Sequence, residues 1–460
     1  MIRTIPAFFA LLVVVLVFTG KVFAQTPPPE FIPNDPRHDD VWARQLNLLK
    51  AWAWEQTATP LEQQGVIALL DDWVDCTHPD LKDNCLPQFT FNATDRPYQS
   101  KGLHGIGAAS LAGARTHNSI GVSSIAGLTG RVKFISVKVV DNTTTRSEWV
   151  IAGLHRVLQL KRSGLNIVAV SCNVVTGIPI AREAEVDRLL KDLAAEHVYI
   201  IAPAGNSPVN LDTVTAFPAA YSRRYKNIIT AAAVDEDGET LAAFSGYGPE
   251  SVSVAAKANV KVVSTLDPID DSGGFGGTSS VTPQVAAAYA LIRLYKEQDG
   301  EKAAERLKFT ARMFPALEKK IGFGRIDVYD SLTMQIGCPS ASLGPILITE
   351  RGSNRAVALT SVSHKSEFSK TDPHNISADQ QTRLMLFAYN VDVNSPVVVQ
   401  AQDSQGQTFQ LPVESVGKLT RPACIMQINV KLRSELAIGD VGLTVEVQSR
   451  ISNRAVITIK

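Results

Sequence analysis

The stretch Val66-Ile67-Ala68-Leu69-Leu70-Asp71 decides the fold class, because an unbroken apolar run leads directly into a carboxylate. Such a run is typical of a strand buried on both faces, as in a parallel sheet. The same pattern predicts further strands and, between them, helices by their apolar spacing. The predicted strands are 66–70, 132–140, 167–170, 198–202 and 228–234, and the predicted helices are 148–162, 181–196 and 281–297. We therefore expect an α/β fold: a doubly wound, mostly parallel sheet with helices on both faces.

Length and composition indicate more than one domain. The chain has 460 residues, which favours two or three domains over one core. After Cys338-Pro339 the sequence changes to short strand-like runs without a helix, which predicts an all-β sandwich over 338–460. Lys plus Arg and Asp plus Glu are equal at 45 each, so charge gives no reason to expect nucleic acid or an anionic membrane as a partner.

The N-terminus has the pattern of an export signal. Arg3 is followed by an uncharged run over 5–18 and by small residues that end at Ala24. This predicts a secretory signal peptide over 1–24 and a secreted, periplasmic or extracellular protein without a membrane contact after cleavage. The alternative is a membrane anchor, for which the run is short. An N-terminal arm over 25–60, Pro-rich and polar over 25–40, would then begin the first domain, which we place at 25–337.

Five cysteines fit an exported protein, and their odd number leaves at least one thiol unpaired. Cys76 and Cys85 lie close together in the sequence, and Cys338 and Cys424 both belong to the C-terminal part. Cys172 stands in an apolar strand and is expected to be a buried free thiol. The sequence alone does not assign the pairs, and no Cys/His spacing is typical of zinc.

Four separated segments supply residues that can carry chemistry. Asp71 ends a buried strand, at the edge where open α/β sheets place their sites. His104 stands beside small residues that begin a helix, and Asn206 follows another buried strand. Ser279 follows glycines at a helix N-terminus, where free N–H groups favour an anion. Taken singly, each has a structural alternative: a turn-capping Asp, a buried structural His or a helix N-cap Ser.

Together these segments resemble the subtilases, the subtilisin-like serine peptidases, over roughly 33–334. The resemblance rests on five motifs in the family's order of Asp, His and Ser. They are Asp71-Asp72-Trp73 with His78-Pro79-Asp80-Leu81, His104-Gly105, Ala204-Gly205-Asn206, Gly277-Thr278-Ser279 with Thr282-Pro283, and Gly322-Phe323-Gly324-Arg325-Ile326-Asp327. We expect Pro283 to lie in the first turn of its helix, where proline is tolerated.

The resemblance implies a secreted serine endopeptidase that acts on protein or peptide substrates. Ser279 would be the nucleophile, His104 the general base and Asp71 the residue that orients the base. The Asn206 amide and the Ser279 N–H would stabilise the oxyanion, and an acyl-enzyme would form and be hydrolysed. The residues implied in substrate binding are Ser171, Cys172, Asn173, Ala204 and Gly205. No cofactor is implied for catalysis.

Departures from the family pattern leave a second function open. Trp73 stands where the family has Gly, and Asn173 stands where it has Gly on the strand that pairs with substrate. An alternative alignment would place Lys101 at the base position, but His104 keeps His-Gly contiguous. The alternative function is a catalytically impaired subtilase fold that serves as an extracellular binding or adhesion module. Of 207–217, near the expected specificity pocket, only Asp212 is charged, which favours neutral or apolar substrate side chains.

The resemblance to thermitase-like subtilases also implies a structural Ca²⁺ site. The matching side chains are Asp35, Asp80 and Asn118, with the carbonyls of Thr116, Ile120 and Val122, all hard oxygen ligands. The alternative is a loop that is rigid without metal. Residues 338–460 are weakly similar to immunoglobulin-like modules of exported bacterial proteins, which suggests contact with a surface or polysaccharide or, alternatively, a spacer.

Overall fold

The structure is a computed structural model that describes residues 29–94, 96, 103–263, 272–334, 344–350, 353–362, 368–375, 377–418 and 425–460. The predicted signal peptide, Lys101, Cys338 and Cys424 lie outside the described residues. The chain divides between residues 334 and 335 into two compact units. Each unit is described by itself.

An eight-stranded sheet forms the centre of the first unit, and all of its neighbouring strands are parallel. Its order is β12-β9-β8-β7-β6-β1-β3-β2. These strands are β1 (Gly65–Asp71), β2 (Phe91–Asn92), β3 (Val132–Lys138), β6 (Ile167–Cys172), β7 (Tyr199–Pro203), β8 (Ile228–Val234), β9 (Val254–Lys257) and β12 (Gly324–Arg325). Each predicted strand is present, and the predicted parallel sheet is confirmed.

Helices cover both faces of this sheet, as predicted. They are α1 (Asp40–Gln45), α2 (Leu48–Glu55), α3 (Leu103–Gly113), α4 (Ser147–Arg162), α5 (Glu183–Ala195), α6 (Gly277–Tyr295), α7 (Gly300–Phe309) and α8 (Val328–Thr333). Ile67 and Leu69 of β1 belong to the core that contains α2, α3 and α6 residues. Val66, Ala68 and Leu70 belong to the core with α4 and α5. Successive strand residues point to opposite faces, so one apolar run serves both cores.

Helix α6 crosses the middle of the unit and corrects one prediction. It begins at Gly277 rather than at 281, so Pro283 lies inside the helix and not in its first turn. A proline there removes the N–H that would bond to the Ser279 carbonyl. Apolar spacing missed this start because the first turn is polar. Its hydroxyls turn back on the helix: Ser280 Oγ donates to Gly277 O and Thr282 Oγ1 to Thr278 O.

Short antiparallel pairs and 3₁₀ turns complete the first unit. The pairs are β4 (Val140–Asp141) with β5 (Thr144–Thr145), and β10 (Val260–Val263) with β11 (Ser272–Phe275). The 3₁₀ turns are Pro87–Phe89, Ile180–Arg182, Ala219–Arg223 and Pro315–Leu317. Within the described part of the chain, the helices are too short or too polar to cross a bilayer.

The second unit is all-β, as predicted, and consists of two five-stranded antiparallel sheets. One has the order β13-β15-β19-β18 with β14 paired to β15, and the other β17-β16-β20-β21 with β22 paired to β20. The strands are β13 (Ile346–Leu347), β14 (Ala358–Thr360), β15 (Arg383–Tyr389), β16 (Val397–Gln402), β17 (Thr408–Leu411), β18 (Val413–Lys418), β19 (Ile425–Lys431), β20 (Gly439–Val447), β21 (Arg450–Ile451) and β22 (Ala455–Ile459). Side chains from both sheets share one core, which gives the packing of a sandwich.

Candidate active site

An aspartate and a histidine form the centre of the site. Asp71 is the last residue of β1 and is fully buried, while His104 stands at the second position of α3 with its side chain 41% exposed. The His104 Nδ1 donates to Asp71 Oδ1 at 2.6 Å, and the backbone N–H of Asp72 donates to the same oxygen at 2.7 Å. The bond at Nδ1 leaves Nε2 as the nitrogen that can accept a proton. His104 is thus the histidine that Asp71 contacts, and Lys101 lies outside the described residues.

Charges around the imidazole set its proton affinity. Burial disfavours the charged ring, but the Asp71 carboxylate, by charge and hydrogen bond, and the Asp72 carboxylate outweigh burial and raise the pKa of His104. Burial and the neighbouring Asp71 charge raise the pKa of Asp72 in turn. The ring therefore binds a proton more strongly than a free histidine does.

The glycine after His104 has a steric reason. Its N–H donates to Asp72 Oδ1 at 2.5 Å. A Cβ on Gly105 would lie 2.5 Å from that oxygen and 2.9 Å from the carbonyl oxygen of Trp73. Only glycine lets α3 approach the end of β1 this closely. The Trp73 side chain, a departure from the family pattern, is half-buried beside this contact.

Phe275, at the end of β11, packs against the His104 imidazole. The sequence motifs do not identify this contact. Its ring meets the His104 ring edge to face, with centroids 5.0 Å apart and an interplanar angle of 82°. Gly107 makes room for it, because a Cβ there would lie 2.9 Å from the Phe275 ring. The only sequence signal was an aromatic residue directly before the Gly276-Gly277 pair.

The nucleophile candidate and the amide candidate meet at the start of α6. Ser279 is the third residue of the helix and is half-buried, and the Asn206 side chain is exposed after β7. Asn206 Oδ1 accepts the Thr278 N–H at 2.8 Å and the Thr278 hydroxyl at 2.9 Å. With its oxygen fixed, the amide keeps its Nδ2 hydrogens for another acceptor. Gly277 has a φ of 72° and would place a Cβ 2.8 Å from that nitrogen.

Ser279 and His104, the candidates for nucleophile and base, are carried by helices α6 and α3, which pack against each other. Both residues are described, and no hydrogen bond joins Ser279 Oγ to His104 Nε2 in this state. In free enzymes such bonds are often long and tighten when substrate binds. The structure thus brings together Asp71 and His104, and Asn206 and Thr278, by direct bonds.

The residues expected to bind substrate have different placements. Asn173 is only 3% exposed, and its side chain is turned to Asp71 Oδ2 at 2.7 Å rather than to the open side of the strand. Ser171 is buried and donates to Asn173 Oδ1 at 2.8 Å. Cys172 is a buried free thiol, as expected, and burial raises its pKa to about 12. Ala204 is buried, whereas a Cβ on Gly205 would meet open space.

The loop of the predicted calcium site is closed by direct hydrogen bonds. Asp35 accepts the N–H groups of His117 and Asn118 and the Ser123 hydroxyl. Asp80 accepts the Asn118 amide nitrogen at 2.9 Å and the Val122 N–H at 2.9 Å, and burial raises its pKa to about 7.

Ca²⁺ requires six to eight oxygen ligands, but both of these carboxylates face hydrogen-bond donors, and the Asn118 oxygen accepts the Ile120 N–H. These oxygens thus serve as hydrogen-bond acceptors within the loop itself. Among the described residues, no group of three or more His, Cys, Asp or Glu side chains fits a metal ion. The calcium site and its carbonyl ligands Thr116, Ile120 and Val122 stay a prediction.

A disulfide between Cys76 and Cys85 settles a pairing that the sequence left open. The closed loop contains His78 and Asp80. The backbone of Cys85 also forms an isolated parallel β-bridge with Phe134 of β3. The N–H of Asp80 donates to the Nδ1 of His78 at 3.1 Å. The cross-link therefore ties the loop after Asp71 to the sheet at both of its ends.

Comparisons with known proteins identify the family of the first unit. The model of the subtilase family matches residues 62–324. A thermophilic serine proteinase of Bacillus sp. (strain AK1) is 27% identical over 311 residues, which cover 65% of this chain and 69% of that protein. Subtilisin NAT of Bacillus subtilis subsp. natto is 31% identical over 49% of this chain, which spans 54% of that protein. Thermitase of Thermoactinomyces vulgaris is 27% identical over 57% of this chain and 85% of that protein.

Solved structures show the same fold for the first unit. A protease from Pseudoalteromonas arctica PAMC 21717 has a TM-score of 0.53 at 22% identity and covers 65% of this chain and 98% of its own. A lanthipeptide protease has a TM-score of 0.51 at 19% identity and covers 64% of this chain and 93% of its own.

Proposed function

This chain belongs to the subtilase family of serine endopeptidases, and we propose that it is exported and hydrolyses peptide bonds with Ser279, His104 and Asp71. The observation that supports this most strongly is the 2.6 Å bond from the His104 imidazole to a fully buried carboxylate. That bond fixes the tautomer in which Nε2 is free to take a proton. The match of the family model over this region supports the same assignment.

In the proposed reaction, Ser279 Oγ attacks the carbonyl carbon of the scissile peptide while His104 Nε2 takes the hydroxyl proton. The imidazolium that forms is stabilised by Asp71, which stays ionised. His104 then gives the proton to the leaving amine, and the acyl group remains as an ester on Ser279. Water, activated by the same imidazole, attacks the ester and restores the serine.

The oxyanion of each tetrahedral intermediate needs donors aimed at it. The Asn206 Nδ2 is free for this because Thr278 holds the amide oxygen with two hydrogen bonds. The second donor is the N–H of Ser279 in the first turn of α6, where the helix dipole also favours an anion.

The substrate side chain before the cleaved bond is proposed to be neutral or apolar. Asp212 is the charged residue near the expected pocket, but its carboxylate accepts the N–H groups of Ser251 and Glu250. The negative charge of Asp212 is therefore stabilised by backbone N–H groups of residues 250 and 251. Val209 and Val214, in the same segment, are exposed.

The test is hydrolysis of casein by the purified full chain and by a Ser279→Ala variant. We expect the wild type to release peptides and Ser279→Ala to be slower by at least about 1,000-fold. An activated ester substrate should give a burst of one product equivalent per Ser279 as the acyl-enzyme accumulates. Equal rates for the two proteins would support the alternative of a binding or adhesion module, which the family comparisons do not favour.

Export is tested separately from activity. We expect the protein recovered outside the cytoplasm to lack residues 1–24, because a signal peptidase cuts after small residues such as Ala24. The mass of the recovered N-terminal peptide measures this. Recovery of a chain that retains residues 1–24 in the membrane fraction would instead indicate an anchor.

A further inference from the structure

Asn173 lies beside Asp71 because of the register between two strands. In the parallel pair β1 and β6, Leu69 lies opposite Ser171 and Leu70 opposite Cys172. One residue further, the N–H of Asn173 donates to the carbonyl of Leu70 at 3.1 Å and continues the pairing. Leu69 and Ser171 lie opposite each other, and Asp71 and Asn173 are each two residues further along. Because alternate strand residues share a face, the side chains of Asp71 and Asn173 point the same way.

The side chain of Asn173 is fixed at both of its ends. Its Nδ2 donates to Asp71 Oδ2 at 2.7 Å, and its Oδ1 accepts the Ser171 hydroxyl at 2.8 Å. Ser171 is fully buried and Asn173 is 3% exposed, so water does not compete for these bonds. The Asp71 bond determines the orientation of the amide, because an ionised carboxylate only accepts: the amide nitrogen faces Asp71, and the amide oxygen accepts the Ser171 hydroxyl.

A fully buried carboxylate needs donors on both oxygens if it is to stay ionised. Asp71 Oδ1 accepts from His104 and from the Asp72 N–H, and Oδ2 accepts from Asn173. Asn173 stands where the subtilase motif has glycine, so its amide is a donor that this motif does not supply.

We propose that Asn173, held by Ser171, is a positioning residue that fixes the Asp71 carboxylate and aims its Oδ1 at His104. The proposal rests on the proposed function for its effect on turnover. Its effect on the His104–Asp71 pair is independent of turnover. Without the amide, the negative charge of Asp71 is shared with fewer donors and attracts the imidazolium more strongly.

The experiment replaces Asn173 by leucine, which has a similar size and no donor, and measures two properties. One is the NMR titration of the His104 imidazole, with its Nδ1 proton as a second signal. The other is the pH profile of kcat and KM on a peptide substrate. We expect the His104 midpoint to rise by about half a unit or more, and kcat to fall about 10- to 100-fold with KM nearly unchanged.

The matched control is Asn166→Leu. Asn166 precedes the same strand at its other end, and its amide donates to the Gln64 carbonyl. Both His104 midpoint and kcat should equal those of the wild type. Ser171→Ala leaves Asn173 in place but removes the hydrogen bond to its Oδ1. We expect a smaller shift of the His104 midpoint in the same direction. If Asn173→Leu does not fold, Ser171→Ala decides the question.

An unchanged His104 midpoint in Asn173→Leu and Ser171→Ala would overturn the proposal, whatever the rates. A shifted midpoint in a protein whose wild type hydrolyses nothing would uphold the positioning role and refute the proposed function. A fall in kcat caused by Asn166→Leu as well would show a general loss of structure and would also overturn the proposal.

Discussion

The two ends of helix α6 provide different surroundings for a negative charge. At the amino end, Ser279 lies in the first turn and the neighbouring Asn206 has its oxygen bound by Thr278. At the carboxyl end, Tyr295 is the last helical residue and its hydroxyl meets the buried carboxylate of Glu55 at 3.3 Å. The helix dipole favours an anion at the first end and disfavours one at the second.

Glu55, which contacts the last residue of α6, is a buried carboxyl with few hydrogen-bond donors. It is 2% exposed, its Oε1 accepts the Thr129 hydroxyl at 2.7 Å, and its Oε2 has no hydrogen-bond partner among the described residues. Burial raises its pKa to about 7. The amino end of α6 thus presents donors at Ser279 and Asn206, whereas burial leaves the Glu55 carboxyl, in contact with the last residue of α6, with two side-chain donors on one oxygen.

The largest expected effect concerns Asp71, the carboxylate that would orient His104 as the base for Ser279 at the amino end of α6. Replacing Asp71 by Asn keeps the shape but presents an amide that reverses the His104 tautomer, so kcat should fall by about 10,000-fold. Steady-state kinetics measure this, and circular dichroism serves as the control for folding. A loss below tenfold would mean that His104 does not depend on this carboxylate.

The next effect concerns the donor at the amino end itself. Asn206→Leu removes the amide while the fold is kept, and kcat should fall about 100- to 1,000-fold with little change in KM, because the amide acts on the oxyanion. Asn210→Leu, four residues along the same segment, is the comparison variant. A rise in KM at constant kcat would assign Asn206 to substrate binding instead.

A third prediction concerns stability and the carboxyl end. The pKa of Glu55 is raised from 4.5 to about 7, so the folded chain binds more protons than the unfolded chain between these values. Stability therefore falls as the pH rises from about 4.5 to about 7. Glu55→Gln removes this loss and should raise the free energy of unfolding at pH 8 by about 2–3 kcal/mol.

Urea unfolding at pH 8 and at about pH 4.5 measures the Glu55→Gln effect. At the lower pH the carboxyl is protonated in the folded state, so the gain should be small. Equal gains at both pH values would show that the substitution acts through packing and not through the charge.

The smallest expected effect concerns the orientation of the amide. Thr278→Val removes one of two bonds to Asn206 Oδ1 and keeps the backbone N–H bond, so kcat should fall about 5- to 10-fold. In the Asn206→Leu background the same change should have no further effect, since the two residues act as a unit. Additive losses in the double variant would separate them.

Much of the fold could be predicted because parallel strands buried on both faces are continuous apolar runs. The strand predicted over 228–234 matches β8 residue by residue. The start of α6 was placed at 281 because its polar first turn lacks apolar spacing. In the second unit, Thr408–Leu411 and Val413–Lys418 give little apolar signal, since Leu411 is the one buried residue among those whose burial the structure describes there.

The site residues themselves were named from motifs, but their neighbours were not. The bond between Asn173 and Asp71 depends on the register of two strands about a hundred residues apart in sequence, which a motif does not encode. The contact of Phe275 with His104 depends on how β11 lies over α3. Glu55 ends α2 and contacts Thr129 and Tyr295, the last residue of α6. Its burial therefore depends on three segments that are far apart in the sequence.

The cross-link from Cys76 to Cys85 has a consequence for where this protein can be made. Glutathione and thioredoxin keep thiols reduced in the cytoplasm, and disulfides persist where proteins are exported. A chain retained inside the cell would carry two open thiols on the segment that follows Asp71. Production of the native molecule should therefore be directed to an oxidising compartment.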